Sequence, residues 1–206
     1  MLHPQDLQAI SARTLAYYDD TADAFWEGTR DHDVSQNVQA LLSHLGTGRF
    51  RILDFGCGPG RDLRVFSDLG HEAIGLDGAA RFVDMARVYS GCAVLHQDFL
   101  ALDLPVTHFD GVFANASLFH VPAQELPRVL GELNAALRPG GVLFSSNPHG
   151  QNEEGWSHRR YGTYLHVDAW RAVVAAAGFM ELEHYYRPAG RPRSEQPWLA
   201  MVCRKP

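Results

Sequence analysis

Cysteine is scarce: the 206 residues hold three, Cys57, Cys92 and Cys203, an odd number without paired metal-ligand spacing. That excludes a disulfide framework and makes a reducing cytoplasm the expected compartment. Long apolar runs are missing too. No stretch approaches the roughly 18 consecutive apolar residues of a membrane span. The opening Leu2-His3-Pro4-Gln5-Asp6 lacks the basic-then-apolar layout of a secretory signal. Basic charge is in deficit, with 18 Lys and Arg against 24 Asp and Glu, a net charge of −6. Phosphate backbones and anionic lipids call for a basic surface, so neither nucleic acid nor membrane is an expected partner. Repeats, low-complexity tracts and long linkers are absent, so residues 1–206 are expected to form one domain. What is present is a globular balance, 46% hydrophobic and 20% charged, which excludes a disordered chain. Eleven histidines raise the question of a metal. They scatter without a His-x-x-x-His or carboxylate–His spacing suited to iron or zinc, so none is expected.

From Phe50 onward, short apolar runs alternate with helix-period segments, the mark of a parallel sheet with crossover helices. Strands are expected at 50–55, 72–76, 93–96, 109–114 and 142–146, then at 179–186 and 198–204. The last two follow one another without a helix, which points to a terminal antiparallel hairpin. One helix is expected through Leu63, Phe66 and Leu69, closed by Gly70, and a second through Phe82, Met85 and Tyr89. A third should start at Pro122 and run through Leu126, Leu130, Leu133 and Leu137, and a fourth should lie around Trp170, closed by Gly178. The expected fold is α/β, with a seven-stranded, mostly parallel sheet. Residues 1–48 should form a helical lid ahead of the core at 49–206. Residues 147–165 make a polar and aromatic connection longer than a minimal crossover.

Arg51-Ile52-Leu53-Asp54-Phe55-Gly56-Cys57-Gly58-Pro59-Gly60-Arg61 falls where the first strand meets the first crossover helix. Glycines there let the backbone approach a ligand and present helix N-terminal amides to it. A nucleotide P-loop would need Gly-Lys-Ser/Thr at its end, and the dinucleotide fingerprint a third small residue where Arg61 stands. Asp54 would repel a pyrophosphate but attract a cation, and S-adenosylmethionine (SAM) carries both an ammonium and a sulfonium. Gly75-Leu76-Asp77 ends the second strand with an acid placed to accept two ribose hydroxyls. His96-Gln97-Asp98-Phe99 follows the third strand with a polar partner for an adenine amino group and a face for its ring, and Ala114-Asn115-Ala116 follows the fourth.

These residues, in this order, resemble the class I SAM-dependent methyltransferases over residues 50–204, with their Rossmann-like fold. Upstream, Tyr18-Asp19-Asp20-Thr21-Ala22-Asp23-Ala24-Phe25 is similar to a pattern of many small-molecule methyltransferases whose two aromatics fold over the methionine end of the cofactor. The resemblance implies a cofactor set of Tyr18, Phe25, Thr29, Arg30, Asp54, Gly56, Gly58, Gly60, Arg61, Asp77, Gly78, Gln97, Asp98, Phe99 and Asn115. The polar stretch Trp26 to Asn37 resembles a narrower group when taken with Ser145-Ser146-Asn147-Pro148-His149-Gly150, Glu154-Gly155-Trp156 and Gln196-Pro197-Trp198. That group is the methyltransferases of ovothiol biosynthesis, which stand alone or form the C-terminal domain of bifunctional 5-histidylcysteine sulfoxide synthases. The group has Arg where this chain has His149, so no role is carried over to that side chain.

This narrower resemblance implies methylation of 5-thiohistidine on its π ring nitrogen, S-adenosylhomocysteine as the cofactor product, and association with a sulfoxide synthase partner. An imidazole attacks through a free lone pair, so its ring must be bound neutral and in the right tautomer. Asp31, Asp33, Gln36, Asn115 and Asn147 are candidates to grip the substrate's amino group or ring. Arg160 and Tyr161 are candidates for its carboxylate, and Arg30 for either carboxylate. His32 and His120 are candidate bases or ring-orienting groups, with Asn115 beside them as a catalytic candidate. Two other readings stay open: a methyltransferase of another small amine, phenol or quinone, and a non-catalytic SAM-binding domain.

Overall fold

A computed structural model describes residues 2–206. Two helices precede the sheet, α1 (Pro4–Thr29) and α2 (Ser35–Leu45). Pro4 sits in the first turn of α1, where its missing N–H costs no hydrogen bond. The core then runs β1 (Arg51–Phe55), α3 (Arg61–Asp68), β2 (Glu72–Asp77), α4 (Ala80–Ser90), β3 (Ala93–His96) and β4 (Phe109–Asn115). It continues with α5 (Leu126–Ala136), β5 (Leu137–Pro148), the hairpin β6 (Glu153–Ser157) and β7 (Arg160–Tyr164), and α6 (Val167–Ala176). It closes with β8 (Met180–Arg187) and β9 (Trp198–Arg204).

The seven-stranded sheet has the order β3-β2-β1-β4-β5-β9-β8. Only β9 runs antiparallel to its neighbours, so β8 at the edge points the same way as β5. Ile52, Leu53 and Phe55 of β1 are wholly buried, as a central strand covered on both faces requires. One face packs Leu53, Phe55, Leu130, Leu133 and Trp170 beneath α5 and α6. The other packs Leu41, Leu63, Phe66, Val83, Phe113 and Phe144 beneath α2, α3 and α4. This three-layer arrangement leaves the C-terminal ends of β1, β2, β4, β5 and β8 on one edge, beside the start of β9.

Three expectations change. The third helix begins at Leu126 rather than Pro122, because Pro127 occupies its first turn while Pro122 sits in a turn closed by the Glu125 amide. β5 begins at Leu137, pairing with Phe109 before a register shift, and so absorbs the Gly140-Gly141 turn. The long 147–165 connection carries a hairpin not expected from the sequence: β6 and β7 pair along its length, and β7 lies against α1. There the Tyr161 amide donates to Thr14 Oγ1 (3.1 Å) and Arg159 pairs with Asp20 (2.8 Å). No described helix is long and apolar enough to cross a membrane.

Candidate active site

The sheet edge opens into a cavity of about 630 Å³ roofed by α1. Its floor is the loop from Gly56 to Gly60, where the chain turns off β1 into α3. Gly56 has φ +77°, and its amide and that of Cys57 both donate to the Leu76 carbonyl at the end of β2 (2.8 and 3.0 Å). A side chain on Gly56 would strike Ser117, whose hydroxyl donates to the Phe55 carbonyl. Gly58 donates to Asp77 Oδ2 and Ala79 to Asp77 Oδ1, both at 2.9 Å, so the Asp77 carboxyl pins the loop to the end of β2. Burial pushes Asp77 up to about 6 despite these amides.

Phe99 stacks on Phe55 at 4.2 Å and lines the same end of the cavity, with Asp98 and Gly78 beside it. Asp98 accepts from the Leu100 amide (2.8 Å) and from the Ser11 hydroxyl of α1. From the roof come Tyr18 and Phe25, edge to face at 5.7 Å and both packed on Phe82, and Thr29. Arg61 donates to Asp62 through Nε (2.6 Å) and Nη2 (3.1 Å), and to the Thr29 carbonyl through Nη1 (2.7 Å). All of these belong to the β1–β2–β3 half of the sheet edge.

The β4–β5 half is walled by a different network. Asn115 Nδ2 donates to Asp62 Oδ2 (2.9 Å), Asn37 Nδ2 to Asn115 Oδ1 (3.0 Å), and the Tyr185 hydroxyl to Asn37 Oδ1 (3.0 Å). Ser146, Trp198 and Arg187 complete that wall, with His32 and Asp33 at the rim. Asp33 Oδ1 accepts from the Ser35 amide (2.9 Å), and Ser35 holds the carboxyl below its ordinary value.

His120 lies between the halves, and its protonation follows from its partners. Nδ1 lies 2.7 Å from the Tyr161 carbonyl, which can only accept, so Nδ1 carries the hydrogen. Nε2 then accepts from the Tyr18 hydroxyl at 2.7 Å. Burial lowers the ring to about 4. His120 is therefore neutral with both nitrogens occupied, an orienting group for Tyr18 rather than a free base.

The structure moves several sequence candidates out of the cavity. Gln97 is turned aside to Asp103, exchanging two hydrogen bonds with its backbone (2.9 and 3.0 Å). Arg30 and Asp31 are exposed and pair with each other, Arg30 also with Glu27; Gln36 faces outward. Asn147 lies on the opposite side of β5 against Phe119 and Trp170. Arg160 lies over the rings of Tyr17 and Tyr18, and the Tyr161 ring packs on Trp156. Asp54 is buried behind the glycine loop, and Gly60 at the end of that loop faces Ala86 of α4, which an added Cβ would strike, rather than the cavity. Burial and the neighbouring Asp62 raise the Asp54 carboxyl well above the usual range, and it does not line the cavity. The carboxyls lining the cavity are instead Asp33, Asp62, Asp77 and Asp98. Sequence reasoning missed Asn37, Asp62 and Arg187. Asn37 alone carried a signal, a polar residue on the face of α2 that buries Val38 and Leu41. Among the described residues, no three His, Cys, Asp or Glu side chains gather as a metal site.

Residues 52–141 match the family model described as a methyltransferase domain. The matched residues run from β1 into β5, and the fold with its strand-end cavity is the Rossmann-like fold of methyltransferase domains. Over 147 residues the chain is 36% identical to a malonyl-(acyl-carrier protein) O-methyltransferase of Enterobacter lignolyticus, covering 68% of this chain and 53% of that protein. It is 31% identical over 129 residues to a 24-methylenesterol C-methyltransferase of Oryza sativa, covering 58% and 33%. The chain thus spans a third to about half the length of these relatives. In fold it is similar to the 1,6-didemethyltoxoflavin-N1-methyltransferase of Burkholderia thailandensis, solved with bound 1,6-didemethyltoxoflavin and S-adenosylhomocysteine. That match has a TM-score of 0.79 and 23% identity, covering 100% of this chain and 91% of that one.

Proposed function

We propose that the protein transfers the methyl group of SAM to the π ring nitrogen of 5-thiohistidine, giving ovothiol A. The observation that carries this reading is one cavity with two unlike halves. The β1–β3 half offers the glycine loop and Asp77, which suit a nucleoside. The β4–β5 half offers Asn37, Asn115, Asp33 and Arg187, which suit a small polar acceptor. At about 630 Å³ the cavity falls in the range of small-molecule sites, about 300–1,000 Å³. The toxoflavin relative, whose name describes N1-methylation of a small molecule, lends support to a nitrogen acceptor.

At Gly58 the nearest atom to an added Cβ is on the Phe25 ring, 3.8 Å away, which leaves the backbone open to a ligand, and both Asp77 oxygens keep lone pairs for ribose hydroxyls beyond the amides they accept. SAM supplies a methyl on a sulfonium, and its C–S bond breaks as the ring nitrogen's lone pair forms the new C–N bond. The protein's own part is alignment and exclusion of water. Tyr18, fixed by His120, and Phe25 close the roof, while Asn115 is held by Asp62 and Asn37 with its amide oriented. His32, its ring exposed at the rim, is the histidine placed to pass a proton from the product to solvent. The three cysteines are free thiols, which suits a reducing cytoplasm, and a sulfoxide synthase that supplies the thiolated ring is the expected partner.

Incubation with SAM and 5-thiohistidine, followed by NMR location of the methyl group, tests the reading. Methyl on the π nitrogen is expected. Methyl on sulfur, or transfer only to another amine, phenol or carboxylate, overturns the acceptor assignment. Tight SAM binding without transfer to any acceptor favours the non-catalytic alternative.

A pH dependence follows from Asp77. Ribose hydroxyls donate best to the ionised carboxylate, so binding pulls its proton off. Cofactor affinity is expected to hold above about pH 6 and to fall as the pH drops through that value. Titration calorimetry between pH 5 and about pH 8 reads it, with proton release confined to the acidic end.

A further inference from the structure

Two arginines line the cavity, and they differ in what they have left to give. Arg61 is committed to Asp62 and the Thr29 carbonyl. Arg187 spends Nη2 on the Asp33 carbonyl at 2.9 Å, and its Nε is buried without a partner. A guanidinium carries five N–H donors in a planar fork that matches a carboxylate, so most of this fork is uncommitted. The sheet order places Arg187 away from the cofactor half. It ends β8, and β4, β5, β9 and β8 all lie on the side of β1 opposite β2 and β3. It is also cross-strand from Trp198, another lining residue. The Asp33 carboxylate stands on the residue that Arg187 holds, so opposite charges meet at one mouth of the acceptor half.

We propose that Arg187 is the carboxylate anchor of the acceptor site, and that the acceptor is a small zwitterion whose ammonium is taken by Asp33. The inference rests on the methyl-transfer reading above and assigns to Arg187, which lines the cavity, the role expected of Arg160 and Tyr161, which do not. It also narrows the acceptor class. A phenol or quinone would leave the Arg187 fork unpaired, whereas an amino acid satisfies both charges.

Titration calorimetry of the S-adenosylhomocysteine complex with 5-thiohistidine and with its carboxamide separates the possibilities. The wild-type protein is expected to bind the acid at least about tenfold more tightly than the amide. Arg187→Met should bind both at the level of the amide, and Arg187→Lys should regain part of the preference, with S-adenosylhomocysteine affinity unchanged in both. If Arg187→Met weakens acid and amide equally, Arg187 merely holds the Asp33 loop, and the anchor is overturned. Equal affinities in the wild type, or no binding of either probe to the loaded protein, overturn it as well. Failure to bind S-adenosylhomocysteine at all is a different result, and it removes the methyl-transfer reading itself.

Discussion

Asp77→Ala is expected to weaken S-adenosylhomocysteine binding by about 100-fold or more while leaving a folded protein. In the proposed binding mode the substitution removes the acceptor for two ribose hydroxyls, and it releases the Gly58 and Ala79 amides, each held at 2.9 Å. Hydrogen bonds to a charged group are worth about 1.5–3 kcal/mol each. Two of them correspond to roughly 3–6 kcal/mol, and each 1.4 kcal/mol is tenfold in affinity. Stability should fall as well, because the Gly58 and Ala79 amides are left without an acceptor. Asp77→Asn is expected to fall between the two proteins, because one of the two amides then faces an NH₂ group. Titration calorimetry gives the affinities, and a thermal melt without ligand confirms that the fold persists.

Gly56→Ala is expected to lower the melting temperature by about 10 °C and to weaken the cofactor at the same time. The backbone there has φ +77°, which costs a residue with a Cβ about 1–2 kcal/mol. The added methyl would also clash with Ser117 Cβ and fall 3.1 Å from the Phe99 ring. Overpacking of that kind adds about 1–3 kcal/mol, and each kcal/mol is about 2–4 °C for a chain of this length. Relief requires the loop or Ser117 to move, and either displaces the amides facing the cavity. Gly131→Ala is the control. Gly131 lies within α5 with nothing within 4 Å of an added Cβ, so this change should be neutral or slightly stabilising. A melt of the three proteins side by side distinguishes local strain from a general intolerance of glycine replacement.

The parts of the site that are local in sequence were legible there. Gly56, Gly58 and Asp77 follow from one rule, a loop at a strand end facing the next strand's acid, and the parallel order of β1 and β2 does the rest. The parts that depend on a strand's facing or on distant pairing were not. Along β5 the side chains alternate, so Ser145 reaches Trp170 Nε1 (3.2 Å) and Asn147 shares that side, while Ser146 between them lines the cavity. A one-residue difference in strand facing therefore separated the expected Asn147 from the observed Ser146. Tyr161 enters the site through its main-chain carbonyl, which no side-chain inventory reveals, on a hairpin inside what read only as a long polar and aromatic connection. Arg187 reaches the edge only because β9 inserts between β5 and β8, a topological fact without a local signature. Asp54 was read as a charge because its position at the end of β1 was legible and its complete burial was not.

Titrating S-adenosylhomocysteine into the purified protein bears most directly on the central claim, that the strand-end cavity holds the cofactor between the glycine loop, Asp77 and the α1 roof. One molecule per chain is expected, with affinity falling below about pH 6 and lost in Asp77→Ala. Absence of binding at neutral pH, or binding that Asp77→Ala leaves intact, would contradict it.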